Sequence, residues 1–302
     1  MPDLTELQDA IRQQQRRRRL APALDRSVLK LPSPPILLLE MLRTIKDENS
    51  SARDLEHFFS IDLSLAAKLL RLANSSFFGL RYKVKTIREA VAVLGFRTLR
   101  SLAMAAFADN LFSSQLRVYG YSRNGLWKHS FGCAVMAREV ARRLHYPPQA
   151  VEELFVAGML HDIGKVVLGR FLAASPEWPG ACSDPGGKPA VIAGERRIVG
   201  FDHAEIGRNI AEKWNLPPGL RNLILFHHQP SAAAERQDAA GIIHLADYLC
   251  ARIHLGLSPA SQLPVHFEPG TLRDVRLQAR EIEELCEVVK ETVRQCESLL
   301  AD

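Results

Sequence analysis

Seven ionisable residues stand inside otherwise apolar sequence. They are His129, the adjacent pair His161 and Asp162 in LHDIGK, His203, the pair His227 and His228, and Asp247. Imidazole and carboxylate with no thiolate form a nitrogen and oxygen ligand set. Such a set suits iron, manganese or zinc rather than a soft-metal or structural zinc site. An uncompensated buried Asp162 or Asp247 would cost several kcal/mol, roughly, and coordination of a cation is the simplest remedy. Lys165, three residues beyond Asp162, has two readings. It is either a point charge for a substrate phosphate or a cation on the last carbonyls of a helix that Gly164 would end.

The elements that must position these residues are helices. Apolar residues recur at three and four positions through most of the chain, and no strand-like alternation of any length occurs. Helices are predicted over residues 124–145, carrying His129, and 149–162, ending in the HD pair. Asp202 caps a third, from His203 through Asn215, and Pro217 and Pro218 start a fourth that reaches His227 and His228. A fifth, over about 239–256, carries Asp247. Neighbours on a helix stand about 100° apart, so each adjacent pair can approach one cavity from two directions. His244 shares the face of Asp247 and reads as a packed or orienting histidine. Cys133 and Cys250 read as small hydrophobes lining the same cavity. Arg196 and Arg197 read as solvated charges with some capacity to attract an anion.

In the first half, LPSPP at 31–35 precedes a helical pattern in ILLLEMLRTI, and Ser50 caps a short helix through Phe59. Asp62 caps LSLAAKLLRLANS, Thr86 caps IREAVAVL up to Gly95, and residues 97–112 form another apolar helix. Residues 173–200, with SPEWPGACSDPGGKP, read as a long loop. The predicted fold is all-α, a helical bundle in two lobes. A basic helix and connector fill 1–30, an N-terminal helical lobe 31–115, a metal-binding helical lobe 116–260 and an amphipathic helix 261–302. The last helix spaces Ile282, Leu285, Val289, Thr292, Cys296 and Leu299 so as to serve either a homodimer seam or packing on its own chain.

Composition narrows the partners. The net charge of +5 is concentrated in RQQQRRRR at 12–19. No zinc finger, RNA-binding signature or reader helix accompanies that run, so it reads as a solvated helix end and nucleic acid is not an expected partner. Five cysteines without a CxxC pair argue for reduced thiols. The start MPDLTELQDA lacks the character of a signal peptide, and no apolar run approaches the ~18 residues of a membrane span. A cytoplasmic protein is expected.

The order His129, His161-Asp162, Asp247 resembles the HD superfamily of metal-dependent phosphohydrolases. His203 and the HH at 227–228 are similar to its two-metal subset, including the HD-GYP cyclic-di-GMP phosphodiesterases. LPSPPILLLEMLRTIKDENSSARDLEHFFSIDLSLAAKLLRLANSSFFGL, VKTIREAVAVLGFRTLRSLAMAAF, FDHAEIG at 201–207 and WNLPPGLRNLILFHHQP at 214–230 look like the HDOD family, over roughly residues 30–255. The resemblance implies a second lobe with an HD-domain-like core and a role in bacterial signal transduction. It also implies one or two divalent cations, iron ahead of manganese or zinc. By that likeness His129, His161, Asp162 and Asp247 hold the first, and His203 with His227 and His228 the second, bridged by Asp162.

HDOD domains have commonly lost metal residues, yet this chain keeps the set. It departs from HD-GYP enzymes in having no DGxGYP after HHQP, and Gly125 stands where an acidic residue would serve a third metal. Three functions follow from the resemblance. The first is a metal-binding regulatory module that meets other signalling proteins by association. The second is a phosphohydrolase acting through Asp162 and Lys165 on a nucleotide, cyclic (di)nucleotide or other phosphate-bearing ligand. The third is a di-iron oxygenase like an inositol oxygenase.

Overall fold

The computed structural model describes residues 4–34, 39, 59, 62–112, 116–178, 190–258, 267–268 and 277–300. Among these the ordered elements are helices, and the only strand-like pairing is an isolated bridge between Tyr121 and Leu257. The helices predicted over ILLLEMLRTI and from Ser50 to Phe59 lie outside the described residues, apart from Leu39 and Phe59, which are both buried.

Among the described residues between 62 and 112 the helices are α2 (Leu63–Ala73), α3 (Ile87–Leu94) and α4 (Phe96–Leu111). Their starts follow the caps read from sequence. Asp62 accepts from the Leu65 amide at 2.9 Å and Thr86 from that of Glu89 at 3.1 Å. Gly95, at φ +79°, turns the chain from α3 into α4. Helix α4 is buried from Leu99 through Ala108 because it is covered on both sides, by α2 and α3 and by the next helix pair.

That pair is α5 (Gly125–Arg143) and α6 (Pro148–Leu160), the most extensive helix contact described. Gly158 lets the two backbones meet, since a side chain there would press on the Ala134 backbone. Between them Arg138 and Glu152 form a buried ion pair at 2.5 Å, with the guanidinium 3.8 Å over the Phe155 ring. The remaining helices are α7 (Gly164–Ala173), α8 (Ala190–Val199), α9 (His203–Lys213), α10 (Pro218–Phe226), α11 (Gln237–Arg252) and α12 (Ala279–Leu300). Helix α11 packs on α5 and α6, while α9 packs between α7 and α10. The buried apolar residues form one continuous cluster through all of these.

Four expectations need correction. Residues 190–199 are not loop but helix α8; the Pro and Gly signals belong to the stretch before it, and they hid a ten-residue helix. Gly164 does not end α6 but opens α7. The reason is contact, because a Cβ there would collide with the carbonyl oxygen of His203. Helix α10 stops at Phe226, so His227 and His228 stand just past its end. Residues 4–30 form one helix, α1 (Leu4–Lys30), with no separate connector among them.

Helix α1 lies on α7, α8 and α9, burying Leu24 and Val28. Lys213 closes its end, donating to the carbonyls of Val28, Leu29 and Leu31 at 2.9–3.0 Å. Two of the five arginines of the basic run are also engaged. Arg17 pairs with Glu205 at 2.9 Å and covers the Phe201 ring, and Arg16 donates to the Arg197 carbonyl. In α12 the seam of Leu285, Val289, Val293 and Cys296 is buried against α5 and α2 of the same chain. No described helix is long and apolar enough to cross a membrane.

Candidate metal centre

The seven residues singled out by type converge. His129 comes from the second turn of α5, His161 and Asp162 from the turn between α6 and α7, and His203 from the first residue of α9. His227 and His228 follow α10, and Asp247 lies on α11. Their ligand atoms fall into two groups, each with all atoms within 4.8 Å of one another. One is His129, Cys133, His161 and Asp247; the other is Asp162, His203, His227 and His228.

Asp162 joins the groups. Its Oδ2 faces His161 Nε2 at 3.5 Å and His129 Nε2 at 3.7 Å, while its Oδ1 faces His203 Nε2 at 3.2 Å and His227 Nε2 at 3.8 Å. The carboxylate is fully buried, and Oδ1 has no hydrogen bond. Burial opposes its ionisation, but Lys165 at 2.6 Å, with His161 and His203, outweighs burial and holds Asp162 well below the usual carboxylate range. Asp162 also opposes the lowering effect of burial on Lys165, whose ammonium ends up raised. Asp247 is likewise held low against burial, through His129 at 3.0 Å and His161 at 3.8 Å.

The imidazoles are turned by their outer nitrogens. His161 Nδ1 meets the Gly158 carbonyl at 2.8 Å, and His227 Nδ1 meets that of Ile224 at 2.7 Å. A carbonyl only accepts, so Nδ1 carries the proton and Nε2 points inward. Both inward Nε2 atoms are buried without a hydrogen-bond partner. This is the disposition of ligating histidines, and together with Asp162 Oδ1 it gives three orphaned polar atoms aimed at a common interior. The residues present therefore fit a divalent cation.

His203 is held more strongly. Its Nδ1 donates to Glu195 at 2.8 Å, and its backbone amide donates to the same carboxylate at 2.9 Å. Burial lowers the affinity of His203 for a proton, but Glu195 and Asp162 prevail and raise it to about 9. His228 brings its Nε2 to 2.8 Å from His203 Nε2, and burial with the neighbouring His227 and His203 pushes it well down. His244 belongs to the support, with Nε2 accepting from the Glu268 amide at 2.9 Å. Its Nδ1 therefore donates, at 2.8 Å, to the carbonyl of His227.

Three participants escaped the sequence reading. Glu195 on α8 is fully buried, and it accepts from His203 and from the Tyr119 hydroxyl at 2.6 Å. Its only sequence signal was a carboxylate among small and apolar residues in AVIAGERRIV. Tyr121 donates to Asp162 Oδ2 at 3.0 Å and accepts from Lys165 at 3.2 Å. An aromatic pair in YGY carries no sign of such a role. Of the two arginines, Arg196 is engaged with the helix-capping Asp202 at 2.6 Å, and Arg197 is exposed. Gly125 is a glycine for packing, since a Cβ would collide with the Gly256 carbonyl.

The HDOD domain family matches residues 31–230. An uncharacterized protein of Treponema pallidum (strain Nichols) is 29% identical over 251 residues, 82% of this chain and 47% of that protein. The chain thus spans about half the length of the curated relative it matches. A solved HDOD domain protein of unknown function from Geobacter sulfurreducens is 25% identical with a TM-score of 0.71, over 89% of this chain and 93% of that one. A solved Shewanella amazonensis SB2B protein, described as a candidate phosphohydrolase, is 26% identical with a TM-score of 0.65, over 92% and 98% of the two chains.

Proposed function

Since the chain belongs to the HDOD domain family, we propose that it is a signal-transduction module whose metal-binding lobe, residues 116–260, holds one or two divalent cations. His129, His161 and Asp247 serve one position, His203, His227 and His228 the other, and Asp162 bridges. The observation that carries this reading is the division of the buried Asp162 carboxylate between the two sets of imidazoles. An ionised carboxylate at 0% exposure needs partners on both oxygens, and Lys165 and Tyr121 reach only Oδ2. A cation supplies what Oδ1 lacks.

The regulatory part follows from where the ligands come from. Five separate segments meet at the centre, so a cation ties α5, α7, α9, α10 and α11 together and stabilises only the folded arrangement. Protons on His161 and His203 are given up when the cation arrives, which links occupancy to pH as well as to metal supply. Partners would read the surface of those helices. Hydrogen exchange with and without zinc tests this. Protection of α9, α10 and α11 rises on loading in the wild type and not in Asp162→Ala; identical exchange in the two states contradicts it.

A second reading has one observation in its favour. His228 and Asp247 have side chains 24% and 16% exposed, while those of the other five ligands are at 3% or less, so the centre opens to solvent on their side. Bound divalent cations supply Lewis acidity toward a phosphoryl oxygen, and the Shewanella relative is described as a candidate phosphohydrolase. The chain's residues contribute less to that chemistry. Lys165 is turned inward onto Asp162, and gripping a phosphate would require it to leave that pair. Metal-loaded protein should leave a panel of nucleotides and cyclic dinucleotides intact. Phosphate release that disappears in Asp162→Ala would transfer the assignment to the hydrolase reading.

A further inference from the structure

We propose that Cys133 is a ligand of the cation held by His129, His161 and Asp247, bound as its thiolate. This rests on the reading of the lobe as a metal centre and extends it. Cys133 stands four residues after His129 on α5, which places both side chains on one face of the helix. It is fully buried, and its Sγ lies 3.6 Å from His129 Nε2. Metal–sulfur and metal–nitrogen bonds of about 2.3 and 2.0–2.1 Å, set at a tetrahedral angle, separate sulfur from nitrogen by roughly 3.5 Å. The observed separation is thus close to one edge of a tetrahedral site.

A second observation points to the same place. His161 Nε2 is completely buried and has no hydrogen-bond partner, while its Nδ1 proton is committed to the Gly158 carbonyl. Its Nε2 faces the group in which Cys133 Sγ, His129 Nε2 and an Asp247 oxygen all lie within 4.8 Å of one another. Cys133 thus adds a sulfur to the two nitrogens and one oxygen of this position, beside the bridging Asp162. Cys250, also buried, neighbours Cys133.

The two positions then differ in chemistry. The Cys133 position favours zinc, cobalt(II) or iron(II) over manganese and magnesium, because thiolate is a soft ligand. The position of His203, His227, His228 and Asp162 contains no sulfur and discriminates less. The proposal adds a thiolate to a ligand set read from sequence as free of one.

Cobalt(II) loading of the full chain is the test. The expected spectrum contains a sulfur-to-cobalt charge-transfer band in the near ultraviolet, lost in Cys133→Ser and kept in Cys250→Ser. X-ray absorption of the zinc-loaded wild type needs no variant, and it should show a sulfur scatterer at about 2.3 Å. Cobalt bound with only nitrogen and oxygen ligands, or a band that persists in Cys133→Ser, would overturn the proposal and leave the metal centre standing. No uptake of cobalt or zinc by the wild type would overturn both.

Discussion

Glu195 shows how much of a ligand's behaviour is decided one residue away from it. Its carboxylate takes protons in hydrogen bonds from the ring and backbone of His203 and from Tyr119, so a fully buried acid has donors on both oxygens. The same bonds fix which nitrogen of His203 faces Asp162. Glu195→Gln replaces an acceptor-only group with an amide whose NH2 must face a donor, which loosens that orientation. Zinc affinity measured by calorimetric titration should fall about 10–100-fold, the usual cost of losing an outer partner of a metal-binding histidine. An unchanged affinity would remove Glu195 from the centre. The ligands themselves were legible in the sequence, because an imidazole or carboxylate in an apolar helix needs a reason to be there. Glu195 and Tyr121 were not, since their partners are 8 and 41 residues away and no local pattern encodes either contact.

At the scale of elements, the centre depends on helices coming closer than side chains normally allow. Helix α7 begins at Gly164 against the backbone of His203 and Gly207 on α9. Gly164→Ala places a methyl into a backbone carbonyl, and relief requires α7 and α9 to move apart. Overpacking of this kind costs about 1–3 kcal/mol, sometimes more. Because Asp162 sits two residues before Gly164, the same shift should lower metal content, so the denaturant midpoint and bound zinc should fall together. A variant with normal stability and full metal would show that the close approach is dispensable. Most elements could be read in advance from caps. Asp202 with Glu205 forms a reciprocal capping box, and Asp62 and Thr86 cap as expected. Helix α8 could not, for the sequence before it, GGKP at 186–189, offers no Ser, Thr, Asp or Asn signal.

Over the whole molecule, one apolar cluster runs from α1 and α2 to α12, and the polar centre is embedded in it. The fold class was legible from periodicity alone, whereas the placement of α1 across α7, α8 and α9 was not. That docking relies on Leu24, Val28 and the reach of Lys213, which are separated by nearly 190 residues. Embedding also sets how stability depends on pH in metal-stripped protein. Burial and neighbouring imidazoles keep His227 and His228 well below the ordinary 6.5. Their contribution is therefore present above about pH 6.5 and is lost as the pH falls and the unfolded chain takes up protons. His203, raised from 6.5 to about 9, acts in the opposite sense: its contribution is full below 6.5 and lost as the pH rises through about 9. Urea midpoints of stripped protein should therefore peak near neutrality, and loading with zinc should flatten the alkaline limb. A midpoint rising steadily from about pH 5 to 9 would contradict these assignments.

The account depends on imidazoles and carboxylates from five segments sharing cations. Elemental analysis of the 302-residue chain, purified without a metal-affinity tag, measures that directly. One to two equivalents of a divalent transition metal per chain are predicted, falling below half in Asp162→Ala. Metal-free wild type that takes up none on reconstitution, or an Asp162→Ala variant with the wild-type content, would contradict it.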